Sequence, residues 1–176
     1  MTAGTLHAIT VLGHDRPGII AESTAILAGL GLNLEDSSMT LLRGHFAMTL
    51  ITAGDASADA VAAALAPLEA DGRLTVSVRE VPPQQQPSPG PGSAWVLTVH
   101  GGDRPGIVSS IVARVAAVGG NITDLTTRLV GELYVLVAEV DLPEGVDVAA
   151  VRTSLRAAAD ELGVGVTLHE VEADEL

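Results

Sequence analysis

The stretch Gly13–Ile20 reads GHDRPGII, and 88 positions later Gly101–Val108 reads GGDRPGIV. Five consecutive residues, Asp-Arg-Pro-Gly-Ile, recur unchanged. Extended at the same offset, residues 6–36 and 94–124 are identical at 13 of 31 positions. Many of the remaining positions exchange one aliphatic residue for another. The register holds through Phe46 and Tyr134, then drifts by two, so that VREV at 78–81 corresponds to LHEV at 168–171. The chain is a duplication. Each copy spans about 75 residues, small for a domain but sufficient for one.

The boundary between copies is equally plain. Residues 82–93 read PPQQQPSPGPGS, with proline and glycine throughout and no aliphatic or aromatic side chain. Such a run is a linker, spanning roughly 19 Å as a flexible coil. The expected organisation is a first domain over 1–81, a linker over 82–93 and a second domain over 94–176.

Within each copy the order of elements is the same. LHAITVLG at 6–13 is a short apolar run with β-branched residues, read as a strand. Beyond Pro17, the residues Ile19, Ile20, Ser23, Ile26, Leu27 and Leu30 follow helical spacing, and Pro17 suits a first helical turn because its missing N–H would be unpaired there. Gly29 and Gly31 mark the helix end. A strand of mixed character opens at Asn33, turns at Arg43-Gly44, and returns as HFAMTLITA. Gly131-Glu132 makes the corresponding turn in the second copy. The alanine-rich segment 56–72 is helical, with Pro67 bending or interrupting it. RLTVSVREV at 73–81 alternates and closes as a strand. The fold class is α+β: βαββαβ twice, the ferredoxin-like plan of a four-stranded antiparallel sheet with both helices on one face. The other face stays open, which favours pairing between modules or between chains.

Composition limits what such a chain does. Hydrophobic residues make up 47% but aromatics only 2%, so the core is aliphatic. The formal net charge of −13 opposes direct binding to nucleic acid or to an anionic membrane. With no cysteine there is no disulfide framework, thiolate nucleophile or Cys-ligated metal. The start, MTAGTLHAIT, lacks the pattern of a signal peptide, and no run is long enough to span a bilayer. The expected location is the cytoplasm.

The repeated loop enters a helix, whose first N–H groups lack internal partners and carry partial positive charge. Gly18, Ile19 and Ile20 offer them in the first copy, and Gly106, Ile107 and Val108 in the second. Glycine at 18 and 106 allows close approach to the backbone. A carboxylate fits there, and Asp15 or Asp103 just ahead could hold an ammonium. An α-amino acid carries both groups. The alternative is that Asp15 caps the helix and Arg16 is solvated.

The motifs GHDRPGI…GLN and GGDRPGI…GGN resemble the signature of ACT domains, small ferredoxin-like regulatory modules that bind amino acids. Two copies without an attached catalytic domain resemble stand-alone tandem ACT proteins. The resemblance implies a ligand where two modules meet, against the first loop and the start of the second strand. Carried onto this chain, the ligand-binding residues are Gly13, His14, Asp15, Gly18, Ile19 and Asn33 in the first copy. In the second they are Gly102, Asp103, Gly106, Ile107 and Asn121. The amides of Asn33 and Asn121 both donate and accept, and either asparagine also suits a turn. His14 has Gly102 as its counterpart, so the two sites would differ in selectivity or occupancy.

Catalysis is disfavoured. His7, His45, His100 and His169 lie in or beside strands without metal-ligand spacing. The repeated loop lacks the lysine and hydroxyl of a nucleotide-phosphate loop, and no serine sits in a nucleophile elbow. No cofactor or metal is expected. Nine arginine or lysine residues, scattered, do not make a DNA-reading surface. The expectation is an amino-acid sensor that acts through a protein partner such as a transcription regulator, pairing as a homodimer. The alternative is an interaction module whose loops no longer bind ligand.

Overall fold

The computed structural model describes residues 4–83 and 92–171. The chain divides into two compact units, Met1–Gln86 and Pro87–Leu176. Most of the linker expected over 82–93 lies outside the described residues. Its last two positions do not remain linker, because the second unit's first strand already begins at Gly92.

The first unit runs β1 (Thr5–His14), α1 (Ile19–Gly29), β2 (Asn33–Leu42), β3 (His45–Gly54), α2 (Ala58–Leu65) and β4 (Leu74–Val81). The second repeats it as β5 (Gly92–Gly102), α3 (Ile107–Ala116), β6 (Asn121–Val130), β7 (Leu133–Pro143), α4 (Val148–Leu162) and β8 (Val164–Glu170). Strand orders are β2-β3-β1-β4 and β6-β7-β5-β8, antiparallel throughout. Two helices cover one face of each sheet, the βαββαβ plan expected from the sequence.

The helical spacing becomes a buried stripe. Ile19, Ser23 and Leu27 of α1 and Ile107, Ile111 and Val115 of α3 recur every four residues and face their sheets. Their apolar members share one core with Ile9, Val11, Phe46, Met48 and Leu50 in the first unit, and with Leu97, Val99, Leu136, Ala138 and Val140 in the second. Each such aliphatic side chain contributes roughly 1.5–3 kcal/mol on burial. Ser23 is tolerated because its hydroxyl donates to the Ile19 carbonyl at 2.7 Å.

Pro67 ends α2 at Leu65 and starts a 3-10 turn, Ala66–Glu69. Its counterpart α4 has no such break and runs to Leu162. Pro17 departs from expectation: α1 begins at Ile19 with Gly18 as N-cap, so the proline lies in the turn before the helix. The two copies also share a register shift in the second strand, between Leu34 and Asp36 and between Ile122 and Asp124. On the face away from the helices, Leu12 and Leu42 in the first unit and Val130, Leu133 and Val137 in the second are exposed. Among the described residues, no helix is long and apolar enough to cross a membrane.

Candidate functional site

Both repeated loops are built alike. The central strand ends, the chain turns through Asp-Arg-Pro, and glycine starts the helix in a left-handed conformation, with φ of 92° at Gly18 and 93° at Gly106. A side chain rarely adopts that conformation, which accounts for glycine at both positions. Neither α1 nor α3 has a side-chain cap. By contrast, Ser57 Oγ accepts from the Ala60 N–H at 3.2 Å in α2, and Asp147 Oδ1 from the Ala150 N–H at 3.1 Å in α4. The Asp15 carboxylate thus does not cap α1. Its backbone N–H donates to the Gly44 carbonyl at 3.3 Å, which ties the loop to the β2–β3 turn.

Arg16 is not simply solvated. Its guanidinium donates from Nη1 to Glu22 Oε1 at 3.0 Å and from Nη2 to Glu22 Oε2 at 2.7 Å. The hydrogen bond holds the Glu22 carboxyl below the usual carboxylate range and raises Arg16 in turn. This is the one ion pair among the described residues. The second copy has Ser110 at the position of Glu22. Arg104 turns instead to the end of α4, where a Cβ built on Gly163 would lie 3.4 Å from its Nη1. A cation suits that negative helix end.

On the helix side of the first sheet, Asp15 through Ala21 line an open depression of about 360 Å³ with Met39 of β2 and Phe46 of β3. Asp15, Gly18 and Ile19 come together there. Gly13 serves the sheet: a Cβ on it would lie 2.0 Å from the Arg73 carbonyl oxygen, beside the hydrogen bond from the His14 N–H to that oxygen. His14 pairs with His45, ring centres 5.4 Å apart, on the sheet face opposite to Phe46. Asn33 pairs with Ala53, at the strand end opposite to His14. The eight residue steps from Leu6 to His14 separate the two ends by roughly 26 Å. A small ligand on the loop is out of reach of the asparagine in the same module. In the second copy Gly102, Asp103, Gly106 and Ile107 gather at one end of the sheet, and Asn121, opposite Asp141, lies at the other.

Met39 and Phe46 were not among the residues expected to form the site. A signal for the second existed, since Phe46 and Tyr134 are the sole phenylalanine and tyrosine and occupy equivalent positions. Among the described residues no three His, Asp or Glu side chains gather as a metal site.

The ACT domain model matches residues 7–79 and 94–169. The chain belongs to the ACT domain family. It is 27% identical over 181 residues to the glycine cleavage system transcriptional repressor of Escherichia coli (strain K12), covering 97% of this chain and 94% of that one. A UPF0237 protein from Methanopyrus kandleri is 43% identical over 77 residues, 43% of this chain and 86% of its own. That relative has about the length of one module. Among solved structures, an unknown protein from Galdieria sulphuraria superposes with a TM-score of 0.79 at 28% identity, covering 95% of this chain and 98% of that one. The two-copy architecture thus recurs end to end, and the chain is a tandem ACT-domain protein related to the glycine cleavage system repressor.

Proposed function

We propose that the chain is a non-catalytic sensor that binds a small amino acid at its Asp-Arg-Pro-Gly loops and acts through a protein partner. One observation carries the reading. Both loops leave the first N–H groups of a helix without a side-chain cap, while an aspartate just ahead is not used as that cap. The N–H groups suit the ligand carboxylate, and Asp15 or Asp103 suits its ammonium. Gly18, Ile19, Gly106 and Ile107 supply the backbone. Met39 and Phe46 give the first depression an apolar wall for a short side chain.

Membership of the ACT family supports an amino-acid ligand. The Escherichia coli relative, a transcriptional repressor of the glycine cleavage system, supports a role in transcriptional control of amino-acid metabolism, for which the cytoplasm is the fitting compartment. The net charge of −13 favours a protein partner over DNA. Ligand binding shifts partner affinity by no more than its differential affinity for the two states.

Calorimetry with a panel of amino acids tests the reading. The ligand should bind the native chain and bind the Asp15→Ala/Asp103→Ala variant about tenfold to a hundredfold more weakly, the effect of losing a charge-assisted hydrogen bond. Equal affinity in the variant would remove the loops from the site.

A further inference from the structure

A second polar cleft lies away from the loops, between α4 and the edge strand β8. Arg152, Leu155, Arg156 and the strand from Val166 to His169 line about 370 Å³. Arg152 is held in place, its guanidinium carbon 5.4 Å from the centre of the Trp95 ring and its Nη2 donating to the Leu168 carbonyl at 3.1 Å. Arg156 follows one turn later, and neither arginine has an acidic partner among the described residues.

The Val171 N–H donates inward to the Ala94 carbonyl. By strand alternation, the even-numbered residues of β8 turn their N–H groups outward, away from β5. The Val166 and Leu168 N–H groups therefore face the cleft.

The first module shows what such an edge accepts. Val76 pairs with Val11 as Val166 pairs with Val99, so the two valines are equivalent. The Val76 N–H donates to Glu69 Oε1 at 2.8 Å: a carboxylate satisfies the edge of β4. In the second module the position of Glu69 is Ala159, buried within the longer helix α4. Meanwhile Ala62 and Ala66 are replaced by Arg152 and Arg156. One copy supplies its own carboxylate; the other lacks it and adds two cations beside the same outward N–H.

We infer that the α4–β8 cleft is a binding site for a small dicarboxylate, one carboxylate taking on Val166 the place that Glu69 takes on Val76, with Arg152 and Arg156 balancing the charge. Arg152 already occupies the Leu168 carbonyl, which prevents a peptide strand from adding along this edge and favours a small ligand.

The test is a titration of the full-length, ¹⁵N-labelled chain with succinate, followed by amide NMR. The Val166 and Leu168 signals should move saturably. Arg156→Ala, on the exposed face of α4, should weaken binding about tenfold or more. Arg156→Lys, which keeps the charge, should retain part of it. An unsaturable response at these amides, shifts confined to the Gly18 and Gly106 loops, or unchanged affinity in Arg156→Ala would overturn the site. Tighter binding of inorganic phosphate than of succinate would overturn the carboxylate assignment. Success or failure here is independent of the loops, which the amino-acid panel reads separately.

Discussion

Arg16 and Glu22 are joined by two parallel hydrogen bonds of 3.0 and 2.7 Å, pinning the Asp-Arg-Pro-Gly loop of the first module to its own helix. The second module has no such clamp, because Ser110 stands where Glu22 would be. Glu22 has a lowered folded-state pKa, so its contribution is present at neutral pH and is lost as pH falls through that lowered value. The amide signals of Asp15, Arg16 and Gly18 should therefore hold steady on acidification and move together only below the ordinary glutamate value of about 4.3. Glu22→Gln should abolish that transition while hardly moving the melting temperature, since the pair is solvent-exposed. A midpoint above the ordinary value would contradict the clamp.

Gly13 and Gly18 should respond unequally to alanine. At Gly13 a Cβ would meet the Arg73 carbonyl oxygen at 2.0 Å, and backbone must move to admit it. At Gly18 the nearest atom is the end of the Glu22 side chain at 3.7 Å, so the cost is that of a left-handed conformation alone. Gly18→Ala should cost about 1–2 kcal/mol, and Gly13→Ala about 3 kcal/mol or more. Urea denaturation of the full chain measures both. Equal losses would mean that β1 and β4 separate easily at this end.

His7 and Thr52 face each other across β1 and β3, both fully buried, and neither imidazole nitrogen nor the hydroxyl has a hydrogen-bond partner among the described residues. The second module has Trp95 and Val140 at these positions. A buried polar group without a partner costs about 1–3 kcal/mol. Thr52→Val should accordingly stabilise the first module, by about 1 kcal/mol. A loss of stability on that change would show that the hydroxyl is satisfied in solution.

The duplication made the fold legible, because two copies of one pattern share most of their breaks, the one at Pro67 excepted. Glycine and proline mark the turns, and the helical spacing that includes Ile19, Ser23 and Leu27 marks a core face. What stayed hidden depends on contacts between distant residues. The shared register shifts at Leu34/Asp36 and Ile122/Asp124 leave no signature in residue type. Arg16 reaches Glu22 because the left-handed turn at Gly18 folds the loop back over the helix, which spacing alone does not reveal. Asn33 belongs to the same motif as the loop, yet α1 carries the chain to the far end of the sheet before β2 begins, so within one module the two stand apart. His14 sits beside Asp15 in sequence, but its ring lies tilted against that of His45 on the other face. Met39 and Phe46 reach the depression because β2 and β3 run alongside the start of α1.

The chain has nine arginines, no lysine and a net charge of −13. Two of those cations are already engaged: Arg16 with Glu22, and Arg152 with the Trp95 ring and the Leu168 carbonyl. Affinity for duplex DNA rests on cations that displace condensed counterions, and each phosphate neutralised steepens the salt dependence by about 0.9 in the logarithmic slope. With few cations to offer and a repulsive overall field, the purified chain should show no shift of duplex DNA at moderate salt. A transcriptional effect must then pass through another protein. A pull-down from cell extract, with and without the amino acid found by calorimetry, should recover a partner in amounts that differ about 5- to 150-fold, the usual range of coupling. Equal recovery in both conditions would make the chain a scaffold rather than a sensor. Tight, salt-sensitive binding of the purified chain to duplex DNA would replace the partner with DNA itself.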